Sequence, residues 1–379
     1  MKDYFESKLE FINTETREIK PDPKFTLLRL GVISYYETFQ ASDDRYLKPY
    51  FEGGIPTVYI WHEYILKNYS SIKYIHLFFE QYISEILLNV SPLLVYGKLN
   101  KEIDLINAIT NKWDKISTKG RKVGYRQLLI RMCELIRNDE ELKENFRVPS
   151  EYHFIEKHEE GLISLSILRN EIIHSADKIL PMYVYEYFMV NKVIPLIRDV
   201  LNLDREILNR NNFSNLSTIE ELSKITLPPV EELPLNLEVI QNTLNRIFHL
   251  KELGRATAKN PLIMDKYVGE SNYTFVEKHN APKIKIAEYE ATFKKENQKG
   301  IDKIYNCPCC GAKALITYNL WEYFEENIAV AESAKCLLCT YKIRREIGEP
   351  HDFGLKCDKL YHKYEINKAD NNVENDNVS

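Results

Sequence analysis

From about residue 57 to residue 203, apolar side chains return every three or four residues, and this periodicity constrains the fold more than any other feature. Ile72, Ile75, Phe79, Tyr82, Ile83, Ile86 and Leu87 share one face of a segment that runs without proline or glycine to Pro92. The spacing predicts one long helix over 57–90, closed by Pro92. Further helices are expected near 100–115, with Ile103, Ile106 and Ile109, and near 122–145, with Leu128, Leu129, Met132 and Leu135. A fourth covers 151–175 and puts Phe154, His158, Leu162, Leu165, Leu168 and Ile172 on one face. A fifth starts at Pro181, a favoured first helical position, and Pro195 should kink or shift it. Together they predict a helical bundle.

The flanks read differently. Residues 1–56 are broken by Pro21, Pro23, Pro49, Gly53, Gly54 and Pro56 and are taken as an N-terminal extension. Residues 204–300 form a connector. It holds the proline-rich run Leu227–Pro234 and one helix over about 236–254, and its segments 273–276 and 284–286 read as short strands. Residues 301–368 hold a cysteine-rich module, and the polar, acidic residues from 369 onward are expected to be disordered. Net charge is −5, which argues against a protein that coats nucleic acid through its overall charge. No apolar run reaches 18 residues and the first residues lack a signal-type apolar core, so a cytoplasmic protein with no membrane contact is expected.

Seven cysteines are present, and four fall in two Cys-x-x-Cys pairs: Cys307 with Cys310, and Cys336 with Cys339. Such pairs in a chain without an export signal point to a metal rather than to disulfides. Zinc(II) has no directional d-electron preference and accepts four thiolates as a tetrahedron. Gly311 suits the left-handed residue that closes the first turn. Ala314–Tyr318 reads as an intervening strand. A zinc ribbon is expected, with Zn2+ in a structural role, because four thiolates leave no position for water or substrate. The spacing leaves open whether Cys309 or Cys357 also touches the metal.

The fourth predicted helix ends in Leu168-Arg169-Asn170-Glu171-Ile172-Ile173-His174. Asn170 and His174, four apart, share a face, and the long Arg169 side chain can join them. This segment resembles the motif of the HEPN superfamily, helical-bundle proteins that include many metal-independent ribonucleases. That motif is Arg, often a polar residue, then His after four to six intervening residues. The resemblance covers roughly 57–203. Two other Arg–His spacings, Arg147 to His153 and Arg345 to His351, fall at Pro149 and at Gly348 and Pro350, where no helix holds them together. The resemblance implies a HEPN-like bundle, which with the cysteine module gives the expected fold: mainly α, followed by a small β zinc ribbon. It also implies a homodimer that brings two motifs into one cleft, an RNA substrate, and cleavage without a catalytic cofactor. A role as toxin or antiphage effector, restrained by a regulatory protein or released by a phage-derived trigger, follows from the family alone.

The chemistry can be stated from the residues themselves. RNA carries its own nucleophile, the 2′-OH, and imidazole titrates where a general base is needed. A guanidinium can hold the phosphoryl oxygens as their charge grows. The stretch Lys112–Arg131 is locally basic and interleaved with Trp113 and Tyr125, so Lys119, Arg121, Lys122 and Arg126 are candidate RNA contacts. No phosphate-binding glycine loop, dinucleotide fingerprint, serine nucleophile elbow or His-Glu-x-x-His helix occurs. The rival expectations are a non-catalytic bundle that binds protein or nucleic acid, and a DNA-binding regulator using the ribbon and Arg344–Arg345.

Overall fold

Helix α2 (Val58–Val90) forms the spine of the structure, a computed structural model. It describes residues 22–41, 58–96, 122–142, 144, 147–174, 180–203, 216–229, 237–259, 271–298, 301–319, 328–355, 357–361 and 363–365. At 33 residues α2 is about 50 Å long. Its end follows from Pro92, which forces Ser91 into extended backbone. Ile72, Ile75, Phe78, Phe79, Ile83 and Leu87 are wholly buried along it.

Helix α1 (Pro23–Ala41) lies against α2 and buries Phe25, Leu28, Val32, Tyr35 and Tyr36. The approach is close: a Cβ on Gly31 would stand 2.6 Å from Ile75 Cγ1 and 3.0 Å from its backbone nitrogen. Residues 23–41, set apart in the sequence as part of an extension, are therefore built into the bundle core. Helices α3 (Tyr125–Arg137), α4 (Phe154–Lys157) and α5 (Glu159–His174) follow. The single helix expected over 151–175 is broken at His158. That residue is not purely apolar packing: its Nε2 lies 2.9 Å from Asp199 Oδ2. The helix expected at 100–115 lies outside the described residues.

Next come α6 (Met182–Phe188), a π-helical turn Met189–Val193, and α7 (Ile194–Leu203). The wide turn sits where Pro195, lacking an N–H, cannot bond the carbonyl of Asn191. Helices α8 (Leu216–Leu222), α9 (Leu237–Lys259) and α10 (Ser271–Asn297) complete the helical part. The strands expected at 273–276 and 284–286 are instead turns of α10. A helical stripe buries Ile284, Ala287 and Ala291 and leaves Ile286 exposed, and Ala291 packs on Ile301 and Ile316 of the ribbon.

A buried polar network fixes α9 in the bundle. Lys251 pairs with Glu186 and donates to Thr38 Oγ1 at 2.6 Å, while Tyr35 OH donates to Glu186 Oε2 at 2.8 Å. Every charge in it is compensated, as a desolvated ion pair requires. Gly254 gives the space that the Tyr36 ring occupies.

The C-terminal module is one antiparallel sheet: β1 (Ile301–Tyr305), β2 (Leu315–Asn319), β3 (Ile328–Cys336) and β4 (Lys342–Arg344) in that order. A further strand, β5 (Lys363–Glu365), pairs with the start of β3. Helix α9 carries this module. Arg255 forks onto Glu252 at 2.6 and 2.8 Å and reaches the carbonyl of Thr340. Glu252 accepts from the Lys342 amide, and His249 Nε2 lies 3.1 Å from the carbonyl oxygen of Ile347. Bundle and ribbon thus share one apolar core. Among the described residues no helix is long and apolar enough to cross a membrane.

Candidate functional site

Two places concentrate chemistry. In the first, Cys307, Cys310, Cys336 and Cys339 are buried with their sulfurs within 4.8 Å of one another. Each pair is shaped by its own turn. The Gly311 amide donates to the Cys307 carbonyl at 2.8 Å, and the Thr340 amide to the Cys336 carbonyl at 3.1 Å. Both closing residues are left-handed, Gly311 at φ 78° and Thr340 at φ 64°. A β-branched residue is strained there, and the Arg255 contacts to Thr340 help hold it.

The sulfurs fit a tetrahedral metal. Cys307 to Cys339 is 3.6 Å and Cys310 to Cys336 is 3.7 Å. Zinc–sulfur bonds of about 2.3 Å give a tetrahedral edge of about 3.8 Å. Burial pushes the Cys307 and Cys339 thiols up, whereas hydrogen bonds from its three neighbours hold Cys336 down. Four thiolates coexist at such distances only when a cation offsets their charge. Zinc held there would be structural. Cys309 is buried but outside the four, and Cys357 lies apart, its thiol pushed up to about 12 by burial and by Glu349.

The second place is the last two turns of α5. Arg169 is half-buried, whereas Asn170 and His174 are exposed. Arg169 Nη1 donates to Asn170 Oδ1 at 2.9 Å, so the amide here engages the guanidinium rather than the imidazole. His174 makes no hydrogen bond or ion pair with the described residues. Beside Arg169 lies a cleft of about 260 Å³, lined by Leu66, Tyr69, Lys73 and Tyr74 of α2 and by Ile172 and Ile173 of α5. Its rim mixes exposed apolar and basic side chains: Leu66 is 60% exposed, Ile173 50%, and Lys73 is exposed beside them.

Helix α2 also holds a residue that sequence reasoning passed over. His76 of α2 is buried, its ring lies 4.4 Å from that of Tyr125 of α3 at a tilt of 53°, and Glu80 Oε2 is 3.8 Å from its Nδ1. Burial, with the Arg169 charge added, lowers its pKa to about 4. A lone histidine among apolar residues reads as core; the carboxylate four residues on was its one signal.

The candidate RNA contacts are only partly in view. Lys119 and Arg121 lie outside the described residues. Lys122 and Arg126 are exposed at the start of α3, and Lys122 borders a cleft of about 450 Å³ with Glu80, Ser84 and Val123. Arg131 caps the turn after α2 by donating to the Leu94 carbonyl at 2.6 Å. Tyr183 and Tyr185 are packing residues, Tyr185 OH lying 2.6 Å from Ser71 Oγ. No protein-family model, curated protein or solved structure matches the chain.

Proposed function

We propose that the chain is a metal-independent endoribonuclease of HEPN type, carrying a structural zinc ribbon. The observation that carries this reading is the end of α5, where a guanidinium that lines a cleft is followed by an amide and a solvent-facing imidazole. The chemistry needs no metal. His174 removes the 2′-OH proton, the oxygen attacks the adjacent phosphorus, and the P–O5′ bond breaks. Arg169 neutralises charge on the phosphoryl oxygens as it grows, through donors other than the one on Asn170. Products carry a 2′,3′-cyclic phosphate and a 5′-OH.

One exposed His174 supplies a base but no acid for the leaving 5′-oxygen. A second copy of the chain would supply it. The exposed Ile167 and Ile173 beside the motif, with Leu66 across the cleft, favour a homodimer seated over this end of the bundle. The same features serve the rival reading, a bundle that only binds a partner there.

The test is incubation of purified, zinc-loaded protein with total RNA during brief exposure to EDTA, beside His174→Ala. Cleavage by wild type alone, leaving cyclic phosphate ends, is the expected result. Folded wild type and variant that are equally inert on RNA, and equally harmless when expressed in cells, would contradict it.

A further inference from the structure

The cleft between α2 and α5 gathers positive charge without a carboxylate to answer it. Lys73 of α2 and Arg169 of α5 both line it, and no Asp or Glu does. Neither cation forms an ion pair with the described residues. Other cations of the bundle do: Lys67, on the same helix as Lys73, lies 2.5 Å from Glu37, and Lys192 lies 2.9 Å from Glu160. Arg169 also keeps donors open. Its Nη1 donates to Asn170, while Nε is buried with no hydrogen-bond partner among the described residues. Two cations that converge on one cleft repel, and an anion held between them offsets both charges.

The rest of the lining suits a flat, weakly polar group. Tyr69 and Tyr74 bring two aromatic rings to the cleft, and Lys73 Nζ lies 6.0 Å from the Tyr74 ring centroid. Leu66, Tyr69, Ser70 and Lys73 recur at the three- and four-residue spacing of one helix face, so α2 turns apolar, aromatic, hydroxyl and cationic groups to the same side. Cations beside aromatic rings match a nucleotide, an anionic phosphate joined to a flat base. A volume of about 260 Å³ suits one unstacked nucleotide and not a base pair. We propose that the cleft is a subsite for one unpaired nucleotide of single-stranded RNA, in which Lys73 shares the phosphate held by Arg169 and Tyr74 stacks on the base. The inference rests on the reading of Arg169 as the phosphate-holding group, and it names the substrate class, since a base inside a duplex cannot reach Tyr74. Lys73 holds the ground state and the transition state alike, so it acts on KM more than on kcat.

The experiment measures binding of a fluorescent, 2′-O-methylated single-stranded RNA, which lacks the nucleophile, to the full-length, zinc-loaded protein. Anisotropy gives the affinity between about 50 and 200 mM salt. Lys73→Gln should weaken binding about tenfold and flatten the slope of log K against log salt by about 0.7, the share of one phosphate contact on a single strand. Lys73→Arg should retain both. Tyr74→Leu should weaken binding about tenfold with the slope unchanged, and Tyr74→Phe should not. The same RNA annealed to its complement should bind more weakly. Lys73 is exposed, so Lys73→Gln is expected to fold like wild type.

No binding by wild type, equal binding of the duplex, or an unchanged salt slope in Lys73→Gln would each overturn the proposal. A variant that loses dimerisation while keeping its RNA affinity would assign the cleft to a second copy of the chain, and would overturn it too. If RNA binds with the expected dependence on Lys73 and Tyr74 yet is never cut, the subsite stands and the catalytic reading fails. If RNA is cut through His174 while Lys73→Gln and Tyr74→Leu leave KM unchanged, the catalytic reading stands and this proposal fails.

Discussion

In the ribbon, four sulfurs meet because each pair is set by one short turn, and two strands bring the turns together. At the end of α5, Arg169 and His174 are five residues apart on one helix, yet the cleft beside Arg169 is walled by residues of α2, about 100 positions earlier in the chain. The first arrangement is fixed by local geometry, and its chemistry can be read from spacing. The second depends on how a bundle packs, and spacing identifies its members only in part. The ribbon is also closed, with buried ligands, whereas His174 faces solvent and is open to a partner or substrate.

The largest effect should come from the closed site. Removing the metal, or replacing Cys336 by Ser, forfeits binding energy on the order of 10 kcal/mol for a structural four-thiolate zinc. Metal analysis should find one zinc per chain in wild type and in Cys309→Ser, and little in Cys336→Ser. If Cys309→Ser also loses zinc, the ligand set is wrong. Because α9 grips the second knuckle through Arg255, this loss should also lower the melting temperature of the helical part.

The seam between the two regions can be broken on its own. Arg255→Leu removes the guanidinium that offsets the buried Glu252 charge and should cost about 3–5 kcal/mol, read by denaturant unfolding with zinc still bound. A change under about 1 kcal/mol would show that ribbon and bundle are energetically separate.

Acid should act on the seam and the bundle together. Burial lowers His249 to about 3 and His76 to about 4, both below the unfolded value near 6.5. Between these values the unfolded chain binds more protons than the folded one. Stability is therefore complete above about pH 6.5 and falls as pH drops towards 4, by a few kcal/mol. His249→Gln should flatten this dependence; an unchanged slope would place the acid response elsewhere.

How much of this was legible varies with the kind of signal. The cluster of four cysteines and the intervening strand could be read because knuckles leave a fixed spacing. The spine helix and its end at Pro92 could be read because proline and periodicity agree. Helix α1 was hidden by the prolines around it and by short apolar runs, and its place depends on the contact of Gly31 with Ile75. Helix α10 was mistaken because Tyr273–Val276 and Ile284–Ile286 favour strands locally, whereas a face shared with the ribbon selects a helix. His76 escapes the sequence because its packing against Tyr125 of α3 is not visible in one dimension.

The smallest structural perturbation makes the sharpest functional test. His174 is exposed and without partners among the described residues, so His174→Ala should change stability by less than about 0.5 kcal/mol. The direct measurement is RNA cleavage by His174→Ala beside wild type, both shown folded and zinc-loaded, with the product ends identified. The account predicts cyclic phosphate ends from wild type and none from the variant. Equal cleavage by both proteins would contradict the assignment of the chemistry to this helix end.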